Sequence, residues 1–219
     1  LHLDRYRYTY RAPGDATRTV GDPAAPVHLF CDVRGGAFPL PASVPVLADR
    51  VGIDVEPLDL SDPDTSAWLA ACVPPEADAV TRFAGAAALA RAEPARTVRG
   101  SLLDVLPGVV ADLPPDAQVC LVDTYVHVFL PPADLARFDA LLLEIGRDLD
   151  WVSVDPLVPL GPDARRTVQH LDVPGQWVEE NRRGGVFGVI GHVRIRDGVR
   201  TGTVLGRAHP GAAWLEWTG

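Results

Sequence analysis

Val51-Gly-Ile-Asp-Val-Glu56, Thr97-Val-Arg-Gly-Ser101, Val119-Cys-Leu-Val-Asp-Thr124 and Trp151-Val-Ser-Val-Asp155 are four short apolar runs, each ending in acidic or small polar residues. Segments of helical period separate them. Short apolar strands alternating with helices make an α/β protein with a parallel sheet, in which helices cover the faces and ligands bind outside the carboxyl ends of the strands. On that reading Asp54, Glu56, Ser101, Asp104, Asp123 and Asp155 fall along one edge of one sheet. Such an edge suits a nucleotide-type ligand.

The intervening pattern supports the same reading. Asp62 followed by Pro63 is a helix cap with proline at the first helical position, so a short helix is expected through Trp68 and Leu69. A longer helix over 75–92 would bury Val80, Phe83, Ala87 and Ala90, and Pro94 would end it. A third, over 102–112, would bury Leu103, Leu106 and Val110; a fourth opens at Pro131 and Pro132 and buries Leu135, Phe138, Leu142 and Ile145. The run 118–123 is apolar almost throughout, as a central strand covered on both faces requires.

On either side of this core the period changes. Tyr6, Tyr8 and Tyr10 alternate with Arg5, Arg7 and Thr9, which is strand period, and the run from Val27 to Val33 is expected to pair back onto that strand. Pro39, Pro41 and Pro45 give an extended connection into the core. A polar helix or loop is expected near 162–171. Beyond it, 186–196, 199–207 and 213–217 read as antiparallel strands, with Asp197-Gly198 as a hairpin turn. The organisation expected is one domain over 1–219: an N-terminal hairpin and connection over 1–50, a parallel core over 51–155 and antiparallel strands over 156–219.

Composition excludes several functions. The net charge of -9 gives no basic surface for phosphate neutralisation, so nucleic acid is not an expected partner. No apolar run approaches the roughly 20 residues that cross a bilayer, and no membrane span is expected. All 20 basic residues are Arg and there is no Met, a composition that reflects a GC-rich coding bias. The start at Leu1, without Met or a signal-peptide pattern, suggests a truncated or processed piece. Cys31, Cys72 and Cys120 are three in number and widely spaced, which suits buried free thiols in a reducing cytoplasm, and the scattered histidines offer no metal site. A small-molecule ligand is the expected partner.

The residues that could carry chemistry lie at strand ends. Asp54 and Glu56 could accept hydrogen bonds from the two hydroxyls of a ribose, or could be solvated loop acids ahead of the Asp62 helix. Ser101, Leu102 and Asp104 could meet an adenine edge; alternatively Ser101 caps a helix and Asp104 complements its dipole. Asp123, with Thr124 and Tyr125 beside it, could be a general base raised by desolvation, or a loop acid paired with arginine. His127 sits in an apolar run, which suits a packing histidine better than a base. Asn181-Arg-Arg-Gly-Gly reads as a surface loop. No Gly-x-Gly-x-x-Gly turn occurs, and Arg34-Gly-Gly is a poor substitute because no helix clearly follows it.

Leu3-Asp-Arg-Tyr-Arg-Tyr8, Gly52-Ile-Asp-Val-Glu-Pro-Leu-Asp-Leu-Ser-Asp-Pro63, Ala86-Ala-Ala-Leu-Ala-Arg-Ala-Glu-Pro94, Val98-Arg-Gly-Ser-Leu-Leu-Asp104, His209-Pro210 and Trp214-Leu-Glu-Trp217 appear in this order along the chain. Together they resemble a bacterial family termed domain of unknown function 2332, over nearly the whole chain. The resemblance implies a Rossmann-like, class I S-adenosylmethionine-dependent methyltransferase fold, with a three-layer, mostly parallel sheet. It also implies that the first strand and its methionine-binding glycine loop are missing, since relatives carry them just before the Leu-Asp-Arg-Tyr segment. Relatives tend to have Arg-Gly-Asp where this chain has Arg99-Gly100-Ser101, and often His-Ser where it has Asp123-Thr124.

Two functions follow as expectations. In the first, the chain binds S-adenosylmethionine for methyl transfer to a small acceptor. Asp54 and Glu56 meet the ribose, Ser101, Leu102 and Asp104 the adenine, and Asp123 and Thr124 complete the cofactor side. Asp123 and Tyr125 face the acceptor as catalytic residues. In the second, the chain is a non-catalytic interaction protein. A sheet lacking its central strand leaves unpaired backbone groups at about 1–3 kcal/mol each, so a partner segment or a dimer mate would complete it as a homo-oligomer.

Overall fold

A computed structural model describes residues 2–14, 16–35, 38–39, 42–74 and 78–218. The chain forms two compact units. One comprises Leu1–Tyr10, Thr17–Phe30 and Leu40–Pro114; the other comprises Arg11–Ala16, Cys31–Pro39 and Pro115–Gly219.

In the first unit a short 3-10 turn, Leu3–Arg5, leads into β1 (Arg7–Arg11), the tyrosine strand, which lies between β2 (Thr17–Val20) and β3 (His28–Gly35). The expected adjacency of the tyrosine strand and the 27–33 run is therefore present. The turn-rich stretch between them also contributes β2, which the sequence did not announce. Strand β3 begins in this unit and ends in the other. The connection Pro39–Pro45 is described only in part, because Pro41 lies outside the described residues.

The first parallel pair is β4 (Val51–Asp54) with β5 (Arg96–Arg99), in the register Ile53 to Val98 and Asp54 to Arg99. Between them come α1 (Pro63–Cys72) and α2 (Ala79–Ala92). Asp62 caps α1 by accepting from Thr65 N at 2.8 Å, as the Asp-Pro pair predicts. The expected start of α2 at 75 lies outside the described residues. Its buried residues are Ala87 and Leu89, whereas Val80 is exposed. A run this rich in alanine has no decisive apolar stripe, so the periodicity placed Ala87 inside correctly, with Phe83 and Ala90 half-buried, but put Val80 on the wrong side and missed Leu89. Helix α3 (Leu102–Asp112) buries Leu103, Leu106, Val109 and Val110 and packs on β4.

The second unit holds six strands in the order β3-β10-β9-β8-β7-β6. The last five are β6 (Val119–Thr124), β7 (Leu149–Asp155), β8 (Gly188–Arg196), β9 (Val199–Ala208) and β10 (Trp214–Trp217). Strands β6 and β7 are parallel, β7-β8-β9-β10 are successively antiparallel, and β10 runs parallel to β3. Asp197 and Gly198 both take positive φ, 50° and 73°, in the β8–β9 turn, which is what a two-residue hairpin of matching twist requires. Helix α4 (Pro132–Glu144) joins β6 to β7 and α5 (Gly175–Arg182) precedes β8. Irregular chain with isolated bridges, not a helix, occupies the stretch near 162–171.

The protein is thus mixed α/β with one large sheet, but the four parallel strands do not form one run. Among the described residues, strand β4 hydrogen-bonds to β5 alone, and β6 lies at a sheet edge with β7 as its one partner. Asp54 and Asp123 therefore stand at the ends of different sheets. Apolar content misled here because it records which side chains are hydrophobic, not which backbone edges pair. Along β6, Val119 is buried, Cys120 exposed and Val122 54% exposed, an alternating rather than a central strand.

The core of the second unit is built on β7, whose residues alternate strictly between buried and half-buried. Trp151 and Phe138 of α4 meet edge to face at 5.0 Å, and Leu142, Leu149, Val193 and Ile195 are also buried in this unit. A second cluster joins Leu157, Ala164, Trp177, Phe187 and Val189. Arg207 lies over the rings of Trp177, Phe187 and Trp214 at 5.1, 5.0 and 5.9 Å while bonding to Glu180 and Glu216. The three cysteines are free, but Cys72 and Cys120 are exposed, so the expectation of buried thiols fails for them. Cys72 ends a helix with no buried residue, and Cys120 lies on the outward-facing side of β6. Among the described residues no helix is long and apolar enough to cross a membrane.

Gly191 of β8 is where the sheet leaves no room for a side chain. A Cβ there would stand 1.7 Å from Gln169 Oε1, and Gln169 cannot swing away because it is fully buried and donates to Trp151 O at 3.0 Å. Gly191→Ala is expected to cost about 2 kcal/mol. In a thermal melt that is a fall in Tm of roughly 4 to 8 °C.

Candidate functional site

Each unit brings part of the sequence-derived residues to a strand end. In the first, β4 stops at Asp54 and β5 at Arg99, and Gly100 N donates to Asp54 O at 2.9 Å, which ties the two carboxyl ends together. Gly100 has φ of +151°, and a Cβ there would meet Val105 Cγ1 at 2.6 Å, so only glycine makes this turn into α3. Asp54 Oδ1 accepts from Glu56 N at 2.8 Å and closes an Asx turn. Glu56 extends to within 3.7 Å of Arg99 NH2, a contact between side chains 80% and 72% exposed that adds little stability. Ser101 occupies the N-cap position of α3 without making a side-chain capping bond, so its hydroxyl is available to another partner. Leu102 is half-buried and Asp104 is exposed in the first helical turn.

The residues of this end fit an adenosyl group in part. Two accessible carboxylates that can accept from ribose hydroxyls, with a serine hydroxyl at a helix start for a base edge, are the polar groups such a ligand needs. The glycine turn that would bring a ligand against the backbone is not among them.

In the second unit the ends of β6 and β7 carry a denser group. Asp123 faces Ser153 across the parallel ladder, and Trp151, Ser153 and Asp155 all lie on the buried side of β7. The indole of Trp151 donates to Asp123 Oδ2 at 2.5 Å, and the Ser153 hydroxyl donates to Asp155 Oδ2 at 2.8 Å. Tyr125 takes the left-handed conformation, φ 55°, which costs a non-glycine residue about 1–2 kcal/mol. Its amide donates to Val154 O at 3.0 Å, so the chain turns back against β7 at this point. The Tyr125 hydroxyl is buried without a partner, and burial followed by the charge of Asp155 pushes its pKa up. Thr124 and Val126 are exposed beside it.

His127 begins a short 3-10 turn, His127–Phe129, and is completely buried. Its ring packs on Phe138 at 4.5 Å and on Trp151 at 5.0 Å. The packing expectation is therefore correct, but the ring is not satisfied. Nε2 comes within 3.1 Å of Asp123 Oδ2 in a direction unsuited to a hydrogen bond, and neither nitrogen has a hydrogen-bond partner.

Asp54, Glu56, Ser101, Leu102 and Asp104 thus belong to one unit, and Asp123, Thr124 and Tyr125 to the other. Sequence reasoning underrated three residues of the second group. Asp155 counted only as an edge acid, His127 as packing, and Ser153 not at all. The alternation Trp151, Ser153, Asp155 within one strand was the available signal, since it puts two polar side chains on the face of a buried tryptophan. Among the described residues no group of three or more His, Cys, Asp or Glu side chains could hold a metal ion.

A buried imidazole with two unpartnered nitrogens is a poor stabiliser compared with a ring of similar shape and no polar atoms. His127→Phe is expected to keep or raise stability in urea denaturation. His127→Ala, which leaves a cavity between Phe138 and Trp151, should lose about 3 kcal/mol. No curated protein and no solved structure matches the chain. The profile of a family described as an uncharacterized protein conserved in bacteria, DUF2332, matches residues 1–217, and by that match the chain belongs to this family.

Proposed function

We propose that this protein is methyltransferase-like and binds S-adenosylmethionine, with a small molecule as methyl acceptor. The observation that carries the reading is the joined carboxyl end of β4 and β5, where Asp54, Glu56 and Ser101 stand exposed or half-exposed around the Gly100 turn. Asp54 Oδ1 is held by Glu56 N, which fixes the carboxylate and leaves Oδ2 to accept from one ribose hydroxyl. Glu56, only loosely held by Arg99, accepts from the other. The Ser101 hydroxyl, with Leu102 and Asp104 behind it, meets the adenine edge. Bound there, the cofactor supplies an electrophilic methyl group.

Positioning of the acceptor against the methyl group carries much of such a reaction. A second reading is a non-catalytic protein that has kept the fold. It is favoured by the engagement of Asp123 with Trp151 and by the complete burial of His127, both of which are packing features.

A thermal-shift titration with S-adenosylhomocysteine separates the two. At a concentration near 100 times the dissociation constant, binding stabilises by about 2.7 kcal/mol, a shift of roughly 5 to 10 °C. The double variant Asp54→Ala, Glu56→Ala, altered at two exposed positions, should melt like the parent without ligand and lose the shift. A folded parent that shows no shift at any concentration overturns the cofactor reading and leaves the non-catalytic one.

A further inference from the structure

The two carboxyl groups at the ends of β6 and β7 are not equivalent. Asp123 Oδ2 receives the indole N–H of Trp151 at 2.5 Å and lies 3.1 Å from a ring nitrogen of His127. Asp155 accepts from the Ser153 hydroxyl at 2.8 Å and, in a stretched contact, from Val128 N at 3.4 Å. Asp155 is 1% exposed and the side chain of Asp123 is 9% exposed. The second oxygen of Asp123, Oδ1, is buried and lacks a donor, and the parallel register sets Asp123 opposite Ser153, on the same sheet face as Asp155 two residues further along β7. The donors to the two carboxyls are the Trp151 indole on Asp123, and the Ser153 hydroxyl and Val128 amide on Asp155.

The titratable groups facing Asp155 are Asp123 at the end of β6, and Tyr125 and His127 from the turn that follows it. Two adjacent carboxylates in such a place cannot both ionise cheaply. One proton answers both deficits, because it removes the poorly solvated charge of Asp155 and gives Asp123 the donor it lacks.

We propose that in mildly acid solution Asp123 and Asp155 hold one proton between them, carried by Asp155 and donated to an ionised Asp123. Asp155 is then a positioning residue: its O–H fixes the Asp123 carboxylate and keeps that residue the charged member of the pair. The arrangement does not depend on methyl transfer. Burial, the larger cause, and the neighbouring charge of Asp123 push Asp155 up to about 6, against the opposing donation from Ser153 and the opposing influence of His127. A carboxyl that holds its proton more tightly when folded than when unfolded stabilises the fold at acid pH. That contribution is complete below the unfolded value of about 4 and is lost as pH rises through about 6.

The test is a carbon-13 NMR titration of the chain labelled at the aspartate carboxyl carbons, with no ligand present, so its outcome is independent of cofactor binding. One resonance, absent from Asp155→Asn, should titrate near pH 6, while ordinary aspartates titrate near or below about 4. In Asp123→Asn that same resonance should move to lower pH, since a neutral amide replaces the neighbouring charge. If Asp155→Asn does not fold, the Asp123→Asn spectrum carries the test alone. An Asp155 resonance titrating at about 4 or below, or one indifferent to Asp123→Asn, overturns the shared proton.

Discussion

The hydrogen bond from Trp151 to Asp123 is the constraint on which the second unit turns. It joins one of the two fully buried tryptophans of that unit to a strand-end carboxylate, so core packing and site geometry are one problem there. Trp151 fixes the ring of Phe138, Phe138 packs on His127, and His127 lies against the same carboxylate that Trp151 holds. A closed circuit of this kind, through β6, β7 and α4, resists small adjustments because interiors are close-packed. It also explains how Tyr125 is kept in a left-handed conformation. The backbone bond to Val154 and the packing of the next turn hold it from both sides.

The first unit is organised on the opposite principle. Its parallel pair is short, its strand-end acids face solvent, and its contacts at the Gly100 turn are backbone bonds and Asx geometry rather than packed rings. Rigid backbone with accessible side chains suits a ligand that arrives from solution. The buried acid pair of the second unit suits proton storage. A polar group that is fully enclosed responds to pH and to its neighbours long before it can respond to a ligand.

Much of this was legible in the chain. Short apolar runs with polar ends located β4 to β7, the Asp197-Gly198 turn located the β8–β9 hairpin, and the Asp62-Pro63 cap located α1, because each signal is local. Pairing partners are not local, so nothing in the runs revealed that, among the described residues, β4 and β6 would each have a single neighbour. Strand β2 was hidden in a turn-rich, exposed stretch, and α5 has one buried residue, Trp177, too few to set a period. The place of Asp123 and Tyr125 at a strand end was legible from the apolar run before them. The role of Asp155 was not, because its neighbour is 32 residues away in sequence and only a parallel register brings the two onto one face.

The absence of lysine from the chain has a sharper meaning at one position than composition suggests. At an exposed site such as Arg18, lysine would present the same charge to water at little cost. At 207 the guanidinium lies over three aromatic rings and bonds in separate directions to Glu180 and Glu216. An ammonium is a point charge without a flat face, and its tighter hydration would have to be stripped away beneath the tryptophans. A drift in codon usage could therefore exchange most of the arginines of this chain before it could exchange that one.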